Sequence, residues 1–381
     1  QCNFASLWRL WPFVTSAASV VAIPAKDEAA HIEACLRALA MQSRRPAAVV
    51  VLLNNCVDDT AARIAALAPS LPFPLDAPHV ELPPARACAG WARRLAMQYA
   101  AVHAGSDGVL LGTDADSVAD TGWVAACLDA IARGADAAAG IADIDPEDAR
   151  RIPPALHEDD ARECAYAREL DEIAALIDPD PADPWPRHDQ HSGANFAVTV
   201  RAWRRAGGIP PVRLGEDRAF FDALRRVDAR IRHTSTARVI VSGRLLGRAR
   251  GGMADTMSRR LTGSDQFLDP RLEPAEDAAF RAIWRRRLRA VWRGEDRGIG
   301  PKDAAAALQL PEGDVVRFLS KPFFGAAWSA VEAHSRKLRR RRVPVSDLPI
   351  QAARAGLLIA QVRLAAGRAH PADSLADALT G

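Results

Sequence analysis

The chain has 381 residues, room for one large domain with an appendage or for two domains. Hydrophobic residues at 49% and charged residues at 25% exclude a disordered, collagenous or low-complexity chain. Lysine plus arginine (50) against aspartate plus glutamate (47) leaves a formal charge of +3, too balanced for a general nucleic-acid binder, so any basic partner site must be local.

The first 140 residues alternate short apolar runs with amphipathic segments, the pattern of a parallel sheet covered by helices. Ser19-Val20-Val21-Ala22-Ile23 reads as the first strand, stopped by Pro24. Behind it Ile32, Cys35, Leu36 and Leu39 mark one buried face of a helix starting near Asp27. Val49-Val50-Val51-Leu52-Leu53 reads as a strand buried on both faces, and a helix from Asp58 through Ala68 follows it. Val109-Leu110-Leu111-Gly112-Thr113 makes a third strand. The stripe Trp123, Cys127, Leu128 and Ile131 predicts a helix closed by Gly134.

Farther on, a helix is expected near Ala161 to Ile177. It leads into Asp178-Pro179-Asp180-Pro181-Ala182-Asp183-Pro184-Trp185-Pro186, which alternating prolines hold extended as a strap. Phe196-Ala197-Val198 reads as a strand, Arg218 to Leu224 as a helix, and the chain beyond Met253 as helical and arginine-rich, with Trp284, Leu288 and Val291 on one face. The six cysteines lie far apart, with no C-x-x-C pair, so neither a zinc site nor a disulfide framework is expected. The longest uncharged stretch, Leu10 to Ala25, is broken by Pro12 and Pro24 and falls short of the roughly 20 residues a membrane span requires. No secretion signal is read at the start, which makes the cytoplasm the expected compartment.

In open α/β sheets ligands bind outside the carboxyl ends of the strands. Pro24-Ala25-Lys26-Asp27-Glu28, Asn54-Asn55-Cys56-Val57-Asp58-Asp59-Thr60 and Asp114-Ala115-Asp116 all fall there. Two carboxylates one residue apart at a strand end can point oxygens at a divalent cation, a hard ion suited to nucleotide phosphates. Aspartates after strands also serve as turn formers and helix caps. The context favours the cation, because three polar strand ends converge on one crevice and the chain continues to Gly193-Ala194-Asn195 and Gly215-Glu216-Asp217-Arg218.

With these segments in this order the sequence resembles the family 2 glycosyltransferases. The likeness rests on the strand-Pro-x-x-Asp-Glu start, the second-strand loop, Gly90-Trp91-Ala92-Arg93, the D-x-D and the Gly-Glu-Asp segment, with 103 residues between Asp114 and Asp217. The resemblance implies a GT-A type, Rossmann-like α/β fold, with a mixed, mainly parallel sheet flanked by helices. It covers roughly 19 to 245, within a catalytic domain expected at 15–264, and leaves 265–381 as a helical C-terminal appendage. It implies a metal-dependent, inverting transfer of a sugar from a nucleoside-diphosphate sugar to an acceptor hydroxyl on a small molecule, a glycan or a lipid-linked molecule. A sugar-nucleotide nucleotidyltransferase is the enzymatic alternative, though its glycine-rich triphosphate loop is missing after the first strand. A noncatalytic nucleotide-binding module of the same fold is the other.

Carried over residue by residue, the resemblance places Pro24, Ala25 and Glu28 along the nucleotide. Asn54 stands where the family often has a base-reading aspartate, and Arg93 faces the base or the diphosphate unless it is an ordinary surface arginine. Asp116, with Asp114 beside it, holds Mg²⁺ or Mn²⁺ on the diphosphate, and Asp217 is the base. Glu216, Gly193, Ala194 and Asn195 lie toward the acceptor. Arg248 and Arg250, in a glycine-punctuated basic loop, are candidates for neutralising the diphosphate. The family commonly has a histidine metal ligand beyond the base; Ser242 stands at the expected place, which leaves His233 as a weak candidate. His188 and His191 sit beside the strap, where a substrate contact and a structural role are both open. The run Arg339 to Arg342 reads either as a solvated helix end or as a contact to phosphates or an anionic membrane surface.

Overall fold

A computed structural model of the chain describes residues 18–244, 253–263, 265–295 and 298–366. The elements run β1 (Ser19–Ala25), α1 (Ile32–Ala40), β2 (Ala48–Asn54), α2 (Thr60–Leu67), β3 (Leu75–Asp76), β4 (His79–Val80), α3 (Ala89–Ala104), β5 (Val109–Gly112), β6 (Ser117–Ala119), α4 (Trp123–Ala132) and β7 (Ala137–Ile144). They continue with α5 (Pro146–Ala149), α6 (Pro154–Ile177), β8 (Phe196–Thr199), α7 (Val200–Arg205), α8 (Glu216–Arg226) and β9 (Ile231–Val241). Helices follow: α9 (Met253–Thr262), α10 (Ala275–Trp292), α11 (Pro301–Leu308), α12 (Glu312–Leu319), α13 (Phe324–His334) and α14 (Leu348–Ala366).

One sheet orders the strands β3-β2-β1-β5-β8-β7-β9-β6, with β4 beside β2. β1 runs parallel to β2 and β5, while β8 enters antiparallel between β5 and β7. The sheet is therefore mixed and mainly parallel, as the sequence leads one to expect. All seven residues of β2 are buried, because helices cover both faces and an alternating pattern has no solvent side to serve. Val21 and Ile23 of β1 pack toward α1, α2 and α4. Val20 and Ala22 pack toward α3 and α8 on the other face.

The first helix begins at Ile32 and not near Asp27. Asp27 takes a positive φ of 53°, and backbone N–H groups of the turn bond to the neighbouring loop: Glu28 N–H donates to Thr60 Oγ1 at 2.8 Å and Ala29 N–H to Asp58 Oδ2 at 3.0 Å. This crosslink fixes the β1 and β2 loops against each other ahead of the helix.

Among the described residues no strand follows β9. The helical part, however, does not begin its core at residue 265. Tyr166, Leu170, Ile173 and Ile177 of α6 share a core with α10 and α14, and the Tyr166 hydroxyl donates to the Glu273 carbonyl at 2.7 Å. Two further ties fasten this layer, one to the strap and one to the sheet. Asp178, at the head of the proline strap, is buried and receives Arg285 and Arg289 from α10 at 2.8–3.0 Å. Asp228, in the turn before β9, accepts the Phe324 and Gly325 N–H groups at the start of α13, both at 2.7 Å. The basic run is largely used up inside this layer: Arg340 pairs with Glu273, Arg341 with Asp277, and Arg342 lies 4.5 Å over the Phe267 ring.

Candidate active site

The strand ends bring four carboxylates and two guanidinium groups together. Arg93 projects from the first turns of α3 and is buried, not a surface arginine. Its Nη2 donates to Asp114 Oδ1 at 2.6 Å, its Nη1 to the Gly193 carbonyl at 2.7 Å and its Nε to Glu216 Oε1 at 3.2 Å. Burial works against its charge, but Asp114 and Glu216 outweigh that and hold the guanidinium ionised. Glycine is needed at 193 because a Cβ there would stand 2.5 Å from Arg93 Nη2. One side chain thus joins the D-x-D end of β5 to the Glu216-Asp217 turn.

Arg244 follows β9 and is a site residue that the sequence does not single out; Arg248 and Arg250, the expected ones, lie outside the described residues. Its guanidinium forks onto the buried Glu28 carboxylate at 2.8 and 2.6 Å and reaches Asp116 Oδ2 at 3.2 Å. Burial, and after it the neighbouring Asp114 carboxylate, push the Asp116 carboxyl up to about 6 against the pull of Arg244. Glu28, Asp114, Asp116, Glu216 and the nearby Asp217 outnumber the two guanidinium groups of Arg93 and Arg244, so the site carries an excess of negative charge.

Asp217 sits in the first turn of α8, half-buried. Its Oδ2 accepts the Gly193 N–H at 3.3 Å and its Oδ1 the Arg218 N–H at 2.7 Å. Pro24 is half-buried beside the crevice, whereas Ala25 and Asn54 are buried at the ends of β1 and β2.

Two placements correct the sequence reading. Asn195, expected toward the acceptor, is fully buried. Its Nδ2 donates to the Ile141 and Ala237 carbonyls at 2.8 and 2.9 Å, and its Oδ1 accepts the Trp123 indole N–H at 2.8 Å. The β7–β9 ladder shifts register between Ala139 and Ile141, and the amide satisfies backbone groups that the shift leaves over. Ala194 beside it is likewise buried in the core, so of the three only Gly193 borders the site.

His233 is not available as a metal ligand. Its Nδ1 lies 2.6 Å from Asp183 Oδ2 and its Nε2 is 3.1 Å from His191 Nε2. His188 packs edge-on against it with ring centroids 5.2 Å apart. His233 on β9 therefore holds the strap to the sheet through Asp183, with His188 and His191 packed against its ring. Among the described residues no three His, Cys, Asp or Glu side chains form a ready metal cage. Burial lowers His188 to about 4 and His191 well below its ordinary value. The unfolded chain takes up these protons near pH 6.5 and the folded chain does not, so both residues cost stability progressively as pH falls below 6.5. His188→Gln is accordingly expected to lose less melting temperature between pH 7 and pH 5 than the unaltered protein. Equal losses would show that His188 titrates normally.

Residues 20–184 match the model of Glycosyl transferase family 2. The match takes in β1 through α6, less than half of the chain, and the mixed sheet with its flanking helices agrees with the GT-A type fold expected from the sequence. No curated protein matches the sequence. Solved structures it resembles include S. aureus TarS 1–349 in complex with UDP, at 14% identity and TM-score 0.42 over 83% of this chain and 91% of that one. Another is the mannosyltransferase PcManGT from Pyrobaculum calidifontis in complex with GDP-Man and Mn²⁺, at 17% identity and TM-score 0.38 over 97% and 82%. A third is glucosyl-3-phosphoglycerate synthase from Mycobacterium tuberculosis with Mn²⁺, UDP-glucose and phosphoglyceric acid, at 17% identity and TM-score 0.38 over 66% and 83%. Among the described residues no helix is long and apolar enough to cross a membrane.

Proposed function

We propose that this protein is a metal-dependent, inverting glycosyltransferase that moves a sugar from a nucleoside-diphosphate sugar to an acceptor hydroxyl. The observation that carries this reading is the triple hold of Arg93 on Asp114, Glu216 and Gly193. It joins Asp114 of the D-x-D to the Glu216-Asp217 turn through a single buried guanidinium, which supports a donor side and a base side in one site.

The donor's diphosphate lies by Asp114 and Asp116, with Pro24, Ala25, Glu28 and Asn54 along the nucleoside. The residues present fit a divalent cation, since two carboxylates plus substrate phosphates are a common magnesium donor set and the site carries excess negative charge. Bound by Asp114 and Asp116, it would supply charge neutralisation to the leaving diphosphate. Asp217 takes the proton of the acceptor hydroxyl as that oxygen bonds to the anomeric carbon, and the bond from the carbon to the phosphate oxygen breaks with its electron pair. The Gly193 and Arg218 N–H groups aim the Asp217 carboxylate. Gly193 thereby serves the acceptor side through its backbone, and Glu216 through Arg93.

Calorimetric titration with UDP, GDP, dTDP and CDP, each with and without Mn²⁺, tests the reading. Metal-dependent binding of one nucleotide is the expected outcome and names the donor base. Failure of all four to bind would overturn the donor site.

A further inference from the structure

The backbone that delivers Arg244 is fixed. Gly243 N–H donates to Asp148 Oδ2 at 2.8 Å and Arg244 N–H to Ser242 Oγ at 3.3 Å. A Cβ on Gly243 would stand 2.7 Å from Ile144 Cγ2 and 2.8 Å from Asp148 Cβ, so only glycine lets the chain pass this close to the end of β7. From there the Arg244 side chain crosses the strand ends to a carboxylate of the β1 turn and one of the D-x-D. Its fork onto Glu28 uses both Nη groups, and the same Nη2 that is 2.6 Å from Glu28 is 3.2 Å from Asp116.

A dication coordinated by a carboxylate oxygen sits about 2.0–2.6 Å from it. With Asp116 Oδ2 already facing a guanidinium nitrogen at 3.2 Å, the two cations would approach to a few ångströms in a half-buried site, where like charges repel strongly. The carboxylate has a second oxygen, but the guanidinium charge beside it opposes a dication at either one.

We propose that Arg244 competes with the divalent cation for Asp116 and yields it when a nucleoside diphosphate enters, because the diphosphate oxygens then offer the guanidinium an anionic partner of equal geometry. Arg244 thereby adds to the coupling between cation and nucleotide that their direct attraction already provides. Each weakens the hold that opposes the other, and the coupling is reciprocal. This inference rests on the assignment of Asp116 as a metal ligand, and the test separates the two.

Free Mn²⁺ is followed by its electron paramagnetic resonance signal during titration of the full chain, alone and with the nucleotide that binds. Arg244→Ala is expected to bind Mn²⁺ alone about tenfold more tightly than the unaltered protein, the order of effect from removing one cation beside the coordinating carboxylate. The nucleotide's enhancement of Mn²⁺ affinity should shrink by a similar factor. Because Arg244→Ala strips Glu28 of its fork, Arg244→Gln, neutral but still able to donate to Glu28, serves as the second variant and should show the same gain. Circular dichroism verifies that each is folded. Adding Asp116→Asn to either variant should abolish the gain. Mn²⁺ affinity unchanged or weakened in both folded Arg244 variants, with binding still lost in Asp116→Asn, overturns the competition while leaving the metal assignment standing. Mn²⁺ binding unaffected by Asp116→Asn overturns both.

Discussion

Replacing Asp217 by asparagine is expected to lower kcat by about 10²–10⁴-fold, the usual contribution of a positioned general base, while nucleotide and Mn²⁺ affinities stay where they were. Asparagine keeps the size of the side chain and a carbonyl oxygen that can still accept the Gly193 or Arg218 N–H. It cannot take a proton from an acceptor hydroxyl. The loss should appear in kcat and kcat/KM alike, because the interaction removed exists only as the proton moves. A parallel Asp116→Asn variant should do the reverse, weakening metal-dependent nucleotide binding first. Should Asp217→Asn turn over at the unaltered rate with a found acceptor, the base lies elsewhere; should it lose nucleotide binding as well, Asp217 belongs to the donor side.

What could be read in the sequence is the part that local pattern encodes. The apolar runs of β1, β2 and β5 and the stripes of α1 and α4 are one-dimensional signals of burial, and the strand ends then follow without further information. Arg93 shows where that stops. Its position in Gly90-Trp91-Ala92-Arg93 marks it as a candidate, yet nothing local says that it is buried or that its partners are residues 114, 193 and 216. Asn195 shows the converse. A polar residue next to a glycine turn looks like a ligand contact, and the register shift in β7 that claims its amide arises from strands 54 and 42 residues away. Arg244 was hidden among equivalent arginines in a basic loop. The nearest signal was Gly243 immediately before it, but only the close passage against Ile144 and Asp148 reveals what that glycine is for. The helical part was legible as helices and not as a unit, because α6 contributes to its core from more than a hundred residues upstream of α10 in chain order.

Arg93→Met is expected to produce the largest loss of stability of any single change near the site, about 3–5 kcal/mol, the cost of breaking a buried ion pair by removing one partner. The methionine fills much of the same volume, so little of the effect comes from a cavity. What is lost is the counter-charge for the Asp114 and Glu216 carboxylates and the donor to the Gly193 carbonyl. Arg93→Lys should recover only part of it, since an ammonium keeps the charge but cannot reach three acceptors as a planar fork does. Neutralising the two stranded carboxylates separates charge from packing. Arg93→Met combined with Asp114→Asn and Glu216→Gln should recover part of the stability that Arg93→Met alone loses, measured by urea unfolding, because no unpaired charge is then left buried. No recovery in the triple variant would mean that Arg93 acts by packing and not by charge.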